Sequence, residues 1–199
     1  MQTKADRIAG EVRQRKTVRP KDLSSLEGSR SHFWNLARSG KIDRIGRGLY
    51  RDRDSPISDN EAYVELAKRV PEGVLCLSSA LRYHELTTEN PSEIWLAIER
   101  GAWTPKIGFP PVRIAHFSEP AFGFGIEIHP VNGVKLRVYS PAKTVADCFK
   151  FRSKIGTETA IQALRAAYRE KKATMDELWK AAKVCRVSNI IRPYMESLT

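Results

Sequence analysis

The sequence predicts an α+β fold, in which a small basic N-terminal domain precedes a larger mixed α/β domain that ends in a helical, bundle-like segment. Apolar residues recur at helical spacing near the N-terminus, alternate with polar residues as in strands through the middle, and return to helical spacing after residue 140. We therefore place the first domain at residues 1–54 and the second at residues 59–199, separated by the polar stretch 52–58.

The chain is strongly basic, with 34 Lys and Arg against 23 Asp and Glu and a net charge of +11. The excess lies at the two ends, because residues 1–53 carry a net +8 and residues 141–199 a net +6, whereas residues 54–140 carry a net −3. Such a distribution favours a polyanionic partner or an acidic protein surface. The 41% of hydrophobic residues excludes a disordered chain.

Several other classes of protein are disfavoured. The cysteines at positions 76, 148 and 185 are far apart in apolar surroundings, which argues against a disulfide framework or a zinc site. The N-terminus shows no apolar signal region, and no segment approaches the ~18 apolar residues of a membrane span. We expect a cytoplasmic protein with no membrane segment, no metal and no cofactor.

Three short helices are expected in the first domain. Ile8 and Val12 give the first helix an apolar face, and Pro20 suits the first turn of the second. Ser29 can cap a third helix, which Gly40 ends. Two helices joined by a tight turn are typical of a helix-turn-helix.

A basic hairpin follows these helices. Residues 42–45 and 49–51 read as short strands around the glycine-flanked turn 46–48, which carries an arginine at its tip. A hairpin in this position is typical of the wing of a winged helix-turn-helix. We therefore predict that residues 1–54 form a winged DNA-binding domain.

The third helix carries the residues that suit base recognition. Phe33, Leu36 and Ala37 form its apolar side, so its polar residues point the other way at 100° per residue. Asparagine pairs well with adenine and arginine with guanine, and a basic turn can approach phosphates closely. The alternative is an ordinary solvated face. The predicted DNA-binding residues are Arg30, Ser31, Trp34, Asn35, Arg38, Arg44, Arg47 and Arg51.

The second domain is predicted to mix strands and helices. Asn132 and Gly133 are a strong hairpin signal, and Ser58 with Glu61 and Thr174 with Glu177 have capping-box spacing. The expected strands are residues 74–77, 94–98, 112–117, 125–131 and 134–139. The expected helices are residues 59–69, 78–83, 140–151, 157–171, 174–184 and 188–198.

An enzymatic function is disfavoured. Ser78 and Ser79 lack the Gly-x-Ser-x-Gly turn of a serine nucleophile, and residues 123–125 are a lone Gly-x-Gly placed before a strand. The acidic residues near strands lack the Glu-x-Lys spacing of a nuclease; they are Glu93, Glu99 and Glu127. We expect no catalytic residue, with a DNA-processing enzyme as the alternative.

Three segments of the chain resemble the AbiEi family of antitoxins: RSGKIDRIGRGLYR at residues 38–51, SSALRYHEL at 78–86 and SPAKTVADCFKFR at 140–152. The resemblance extends to ALR at 163–165 and RPY at 192–194. It implies that the winged helix represses its own operon by binding promoter repeats. It also implies that the C-terminal domain counters a nucleotidyltransferase-like toxin encoded beside it, as in a type IV toxin-antitoxin system.

The basic C-terminal helices offer a surface for such a partner. Lys150, Arg152 and Lys154 are the predicted partner-binding residues, because Lys150 and Lys154 are four residues apart at an expected helix end. The alternative is a solvated charged face. A second reading of the whole chain is a solitary winged-helix regulator whose C-terminal domain senses a ligand or dimerises.

Overall fold

The computed structural model describes residues 3–15, 17–26, 30–46, 48–54, 61–107 and 111–198. The chain divides into two compact units. The first consists of Met1–Lys68 and Pro130–Lys135, and the second of Arg69–His129 and Leu136–Thr199. Both units contain helices and strands, which confirms the predicted α+β class.

The first unit has the element order helix, strand, short helix, helix and hairpin. Its elements are α1 (Lys4–Arg15), β1 (Thr17–Val18), a 3-10 helix (Pro20–Leu26), α2 (Arg30–Arg38), β2 (Ile42–Gly46), β3 (Leu49–Asp52) and α3 (Glu61–Arg69). The three strands form an antiparallel sheet in the order β1-β3-β2. The sequence indicated neither β1 nor the 3-10 form of the second helix.

A small apolar core holds these elements together. Ile8 and Val12 are fully buried, as their spacing predicts, and the ring centroid of Phe33 lies 5.0 Å from that of Tyr50. The other buried members of this cluster are Val18, Leu23, Leu36 and Ile42. This core fixes α1 and α2 against the three-stranded sheet.

Helix α3 groups with the first unit as far as Lys68. The boundary therefore falls later than the predicted stretch 52–58, of which residues 55–60 lie outside the described chain. Two ion pairs join α3 to other elements of this unit. Glu61 lies 3.1 Å from the guanidinium of Arg51, and the ammonium of Lys68 lies 3.9 Å from the carboxylate of Asp22.

The second unit is built on a mixed sheet with strand order β6-β5-β4-β8-β7. The strands are β4 (Val74–Leu75), β5 (Ile94–Glu99), β6 (Val112–Phe117), β7 (Ile126–Val131) and β8 (Val134–Tyr139), with α4 (Leu77–Tyr83) between β4 and β5. Strand β4 runs antiparallel to β5 and parallel to β8, and β5 runs parallel to β6. The predicted hairpin is confirmed, and its two turn residues, Asn132 and Gly133, have left-handed φ values of 49° and 74°.

Five helices follow the sheet: α5 (Pro141–Lys150), α6 (Arg152–Ile155), α7 (Thr157–Arg169), α8 (Met175–Val184) and α9 (Ser188–Glu196). Helix α5 is buried over residues 142–149 and packs against α4, α7 and α8. The Ser140 hydroxyl caps α5, and Thr174 and Glu177 form the predicted capping box of α8. Within the described part of the chain, every helix falls short of the length and apolar character that a membrane span needs.

Candidate functional site

Helix α2 presents one polar face to solvent. Phe33 and Leu36, 0% and 3% exposed, occupy its inner side, where Ala37 also packs on the core. Positions i, i+3, i+4 and i+7 share one side of an α-helix. Here those positions are all exposed and are Ser31, Trp34, Asn35 and Arg38. The structure thus brings together four of the predicted DNA-binding residues.

Trp34 and Arg38 interact with each other on this face. The guanidinium carbon of Arg38 lies 5.3 Å from the centre of the Trp34 ring, and Trp34 is 51% exposed. Contacts of this kind contribute about 0.5–1 kcal/mol at exposed sites. The contact orients the guanidinium without neutralising its charge, so Arg38 stays available to an anion or a base edge.

The arginines of the hairpin differ in their surroundings. Arg44 on β2 is exposed. Arg47 and the side chain of Arg30 lie outside the described residues. Arg51 differs from Arg44, because only 17% of its side chain is exposed and its guanidinium lies 3.0 Å from Asp43 and 3.1 Å from Glu61. Two carboxylates therefore hold this charge within the unit.

Arg53 contacts the turn between α2 and β2. Its Nη1 atom donates a hydrogen bond of 3.1 Å to the carbonyl oxygen of Gly40. Gly40 has a φ of +73°, and a Cβ atom there would lie 2.7 Å from the same guanidinium. Glycine thus permits both the left-handed turn and the close approach. This role depends on a contact between residues thirteen apart, which no local pattern reveals.

The predicted partner-binding residues do not lie on one helix. Lys150 is the last residue of α5, and Arg152 and Lys154 belong to the separate helix α6. The Nη1 atom of Arg152 donates a hydrogen bond of 3.0 Å to the carbonyl oxygen of Phe149. Arg152 therefore helps to end α5, whereas Lys150 and Lys154 are exposed.

A buried ion pair lies inside the second unit. The ammonium of Lys143 and the carboxylate of Asp147 are 2.5 Å apart, with 0% and 1% of the side chains exposed. The Cys185 thiol donates a hydrogen bond of 3.3 Å to the other carboxylate oxygen of Asp147. Burial raises the pKa of Asp147, and the neighbouring Lys143 ammonium opposes that shift.

Two aromatic rings also surround the Lys143 ammonium. Its Nζ atom lies 4.0 Å from the centre of the Tyr139 ring and 4.7 Å from that of Phe117. Lys143 and Asp147 both lie in the segment 140–152 that resembles AbiEi antitoxins. The missed signal is the i, i+4 spacing of Lys143 and Asp147 in a helix whose other inner residues are apolar.

Comparisons with known proteins bear on the fold. The chain is similar in structure to the crystal structure of the RV2827C protein from Mycobacterium tuberculosis, with a TM-score of 0.62 and 14% sequence identity, over 100% of this chain and 81% of that one. At this identity the similarity shows the fold alone. No protein-family model matches the chain, and a search of curated proteins gave no match.

We predict that the buried pair is sensitive to loss of one charge. Asp147→Asn leaves the Lys143 ammonium buried without a counter-charge, which costs about 3–5 kcal/mol. Replacing both residues, as in Lys143→Met with Asp147→Leu, removes both charges and is expected to cost less. Urea-dependent hydrogen exchange of the α5 amides measures the stability of this region directly.

A matched control exists on α8. Asp176 and Lys180 have the same i, i+4 spacing, with atoms 2.8 Å apart, but their side chains are 74% and 66% exposed. Asp176→Asn is expected to leave the exchange of α5 unchanged, because exposed pairs contribute little. Equal effects of Asp147→Asn and Asp176→Asn would show that burial does not set the cost.

Proposed function

We propose that this chain is a DNA-binding transcriptional repressor and an antitoxin, with a winged helix-turn-helix in its first unit and the neutralising activity in its second. The exposed polar face of α2 carries the DNA-binding half of the proposal. Asparagine, arginine and serine occupy that face at the spacing with which a recognition helix contacts base edges in the major groove. Its aromatic member, Trp34, gives the face additional contact area.

The arrangement of the first unit also supports this proposal. Helix, strand, helix, helix and hairpin, with the sheet order β1-β3-β2, is the order of elements of a winged helix. In that arrangement α2 is the recognition helix and the β2–β3 hairpin is the wing. The net charge of +8 over residues 1–53 supplies the sequence-independent attraction to phosphates.

The antitoxin half is supported by the resemblance of residues 78–86 and 140–152 to AbiEi antitoxins. The second of these segments forms α5, the most deeply buried helix of its unit. Its exposed end, Lys150, and the neighbouring Lys154 provide a basic surface for an acidic partner. The partner implied is a nucleotidyltransferase-like toxin encoded beside this chain.

We predict that Asn35→Ala and Arg38→Ala relax sequence preference. A good side-chain contact to a base contributes about 1–3 kcal/mol of discrimination between sequences. The affinity of each variant for the promoter is therefore expected to approach its affinity for unrelated DNA. Arg44→Ala is expected to weaken binding to all sequences similarly. It is also expected to lower the slope of log affinity against log salt concentration by about one. Footprinting on the chain's own promoter, with shuffled DNA as competitor, measures both effects.

The control for these variants is Arg165→Ala, which removes an exposed arginine from α7 in the other unit. It is expected to bind the promoter like the unchanged protein. If Asn35→Ala and Arg38→Ala also bind with unchanged affinity and preference, the α2 face does not read DNA.

We predict that the neutralising activity separates from DNA binding. Lys150→Glu with Lys154→Glu is expected to reduce rescue from the neighbouring toxin, because the double variant repels an acidic surface, while promoter repression persists. Arg152 is left unchanged because it caps the carbonyl oxygen of Phe149. Co-expression with the toxin and a promoter reporter measures both outputs in one strain.

Arg165→Glu with Arg169→Glu is the matched control, since it reverses two exposed charges at the same i, i+4 spacing on α7. Both double variants must melt cooperatively near the temperature of the unchanged protein. Full rescue by a stably folded Lys150→Glu, Lys154→Glu protein would place the neutralising surface elsewhere. A neighbouring gene that encodes no nucleotidyltransferase would argue against the antitoxin role itself.

A further inference from the structure

The second unit contains a pocket of about 420 Å³, and Lys150 is the one residue of its lining that the proposed function uses. It lies where β5 and β6 end beside the C-terminal ends of α5 and α8. The backbone N–H of Arg100, just after β5, donates 2.7 Å to the carbonyl oxygen of Phe117 at the end of β6. Its lining includes Arg100, His116, Phe117, Lys150, Phe151 and Arg186.

The pocket is electropositive. Arg100, Lys150 and Arg186 are exposed, and none of their side chains has an ion-pair partner among the described residues. Two acidic residues also line the pocket. Asp147 is already paired with Lys143, and one oxygen of Glu119 accepts a hydrogen bond from the backbone of Gly123. The pocket therefore has three positively charged side chains and one carboxylate, that of Glu119, outside the Lys143–Asp147 pair. This excess of positive charge favours an anionic ligand.

The backbone that carries Arg186 is fixed in place. The backbone N–H of Arg186 donates a hydrogen bond of 3.1 Å to the carbonyl oxygen of Lys183. The N–H of Val187 donates one of 2.9 Å to the carbonyl oxygen of Ala182. These two bonds close the end of α8 as in a Schellman motif. Carbonyl groups at that helix end are therefore satisfied, and the guanidinium is attached to a rigid turn.

Apolar and aromatic side chains form part of the remaining lining, beside the polar residues His116 and Ser118. The ring centroids of Phe117 and Phe151 lie 5.2 Å apart, and Val184 and Ala121 also line the pocket. The volume lies within the range of about 300–1,000 Å³ that is usual for small-molecule sites. A phosphate ion alone would leave most of this space unfilled, whereas a phosphate ester that carries a planar ring would use both the cations and the apolar surface.

We propose that this pocket binds a mononucleotide, with its phosphate held by Arg100 and Arg186 and its base against the Phe117 and Phe151 side. The proposal is independent of the antitoxin assignment. Lys150 belongs to both the pocket and the basic surface, so the experiment leaves that residue unchanged.

The experiment is a titration of the full chain, followed by the backbone amide signals of Arg100, Phe117, Cys185 and Arg186 in NMR spectra. The four probes AMP, GMP, CMP and UMP are added separately. At least one is expected to give saturable shifts of these signals, while the corresponding nucleoside and inorganic phosphate each bind at least tenfold more weakly. Absence of saturation by any mononucleotide up to about 10 mM would overturn the proposal.

Two variants and a control assign the binding to the pocket. Arg100→Gln and Arg186→Gln are each expected to weaken mononucleotide binding about tenfold, while Arg165→Gln on α7 is expected to leave it unchanged. The spectra of all three must retain the dispersion of the folded protein. Unchanged affinity in a folded Arg100→Gln, Arg186→Gln protein would overturn the proposal. So would a nucleoside or inorganic phosphate that binds as tightly as the mononucleotide.

Discussion

The packing of Phe33 against Tyr50 fixes the rotation of α2, and the exposed face of that helix depends on it. Phe33 is fully buried, and its ring lies 5.0 Å from Tyr50 on β3. With that side chain inside, the residues at helical spacing on the far side must face solvent. The same contact ties α2 to the sheet that carries the hairpin. This aromatic pair thus determines which face of α2 is exposed. It also determines how that face, proposed to contact bases, is oriented relative to the β2–β3 hairpin, the proposed wing.

Strand register brings one arginine of the hairpin beside carboxylates. In the β2–β3 ladder Asp43 lies opposite Arg51, and the register shifts between Arg44 and Gly46. Cross-strand neighbours of opposite charge attract each other, so Arg51 is held by Asp43 and then by Glu61 from α3. Arg44 is exposed on the same hairpin. Composition alone treats these arginines as equivalent, whereas the contacts across the sheet show that Arg51 has a structural role.

Much of the fold was predictable because its signals are local. The apolar stripe of α2, the Asn132-Gly133 turn and the capping box of α8 depend on residues close in sequence. The failures are contacts across the chain or elements too short for a pattern, such as β1, with two residues. Helix α5 was also predicted to continue through Phe151. It ends at Lys150, and the backbone of Phe151 is non-helical, with φ −102° and ψ 22°. The pocket brings Arg100 and Arg186 together from distant segments, so no spacing rule could indicate it.

Hydroxyl-radical footprinting with mass spectrometry can show whether the exposed face of α2 contacts DNA. Trp34, 51% exposed, reports on α2, and Trp103, 76% exposed in the second unit, serves as the internal reference. On adding DNA that spans the chain's own promoter, oxidation of Trp34 is predicted to fall while that of Trp103 stays constant. Unchanged oxidation of Trp34 under conditions in which the DNA is fully bound would show that the α2 face does not contact DNA.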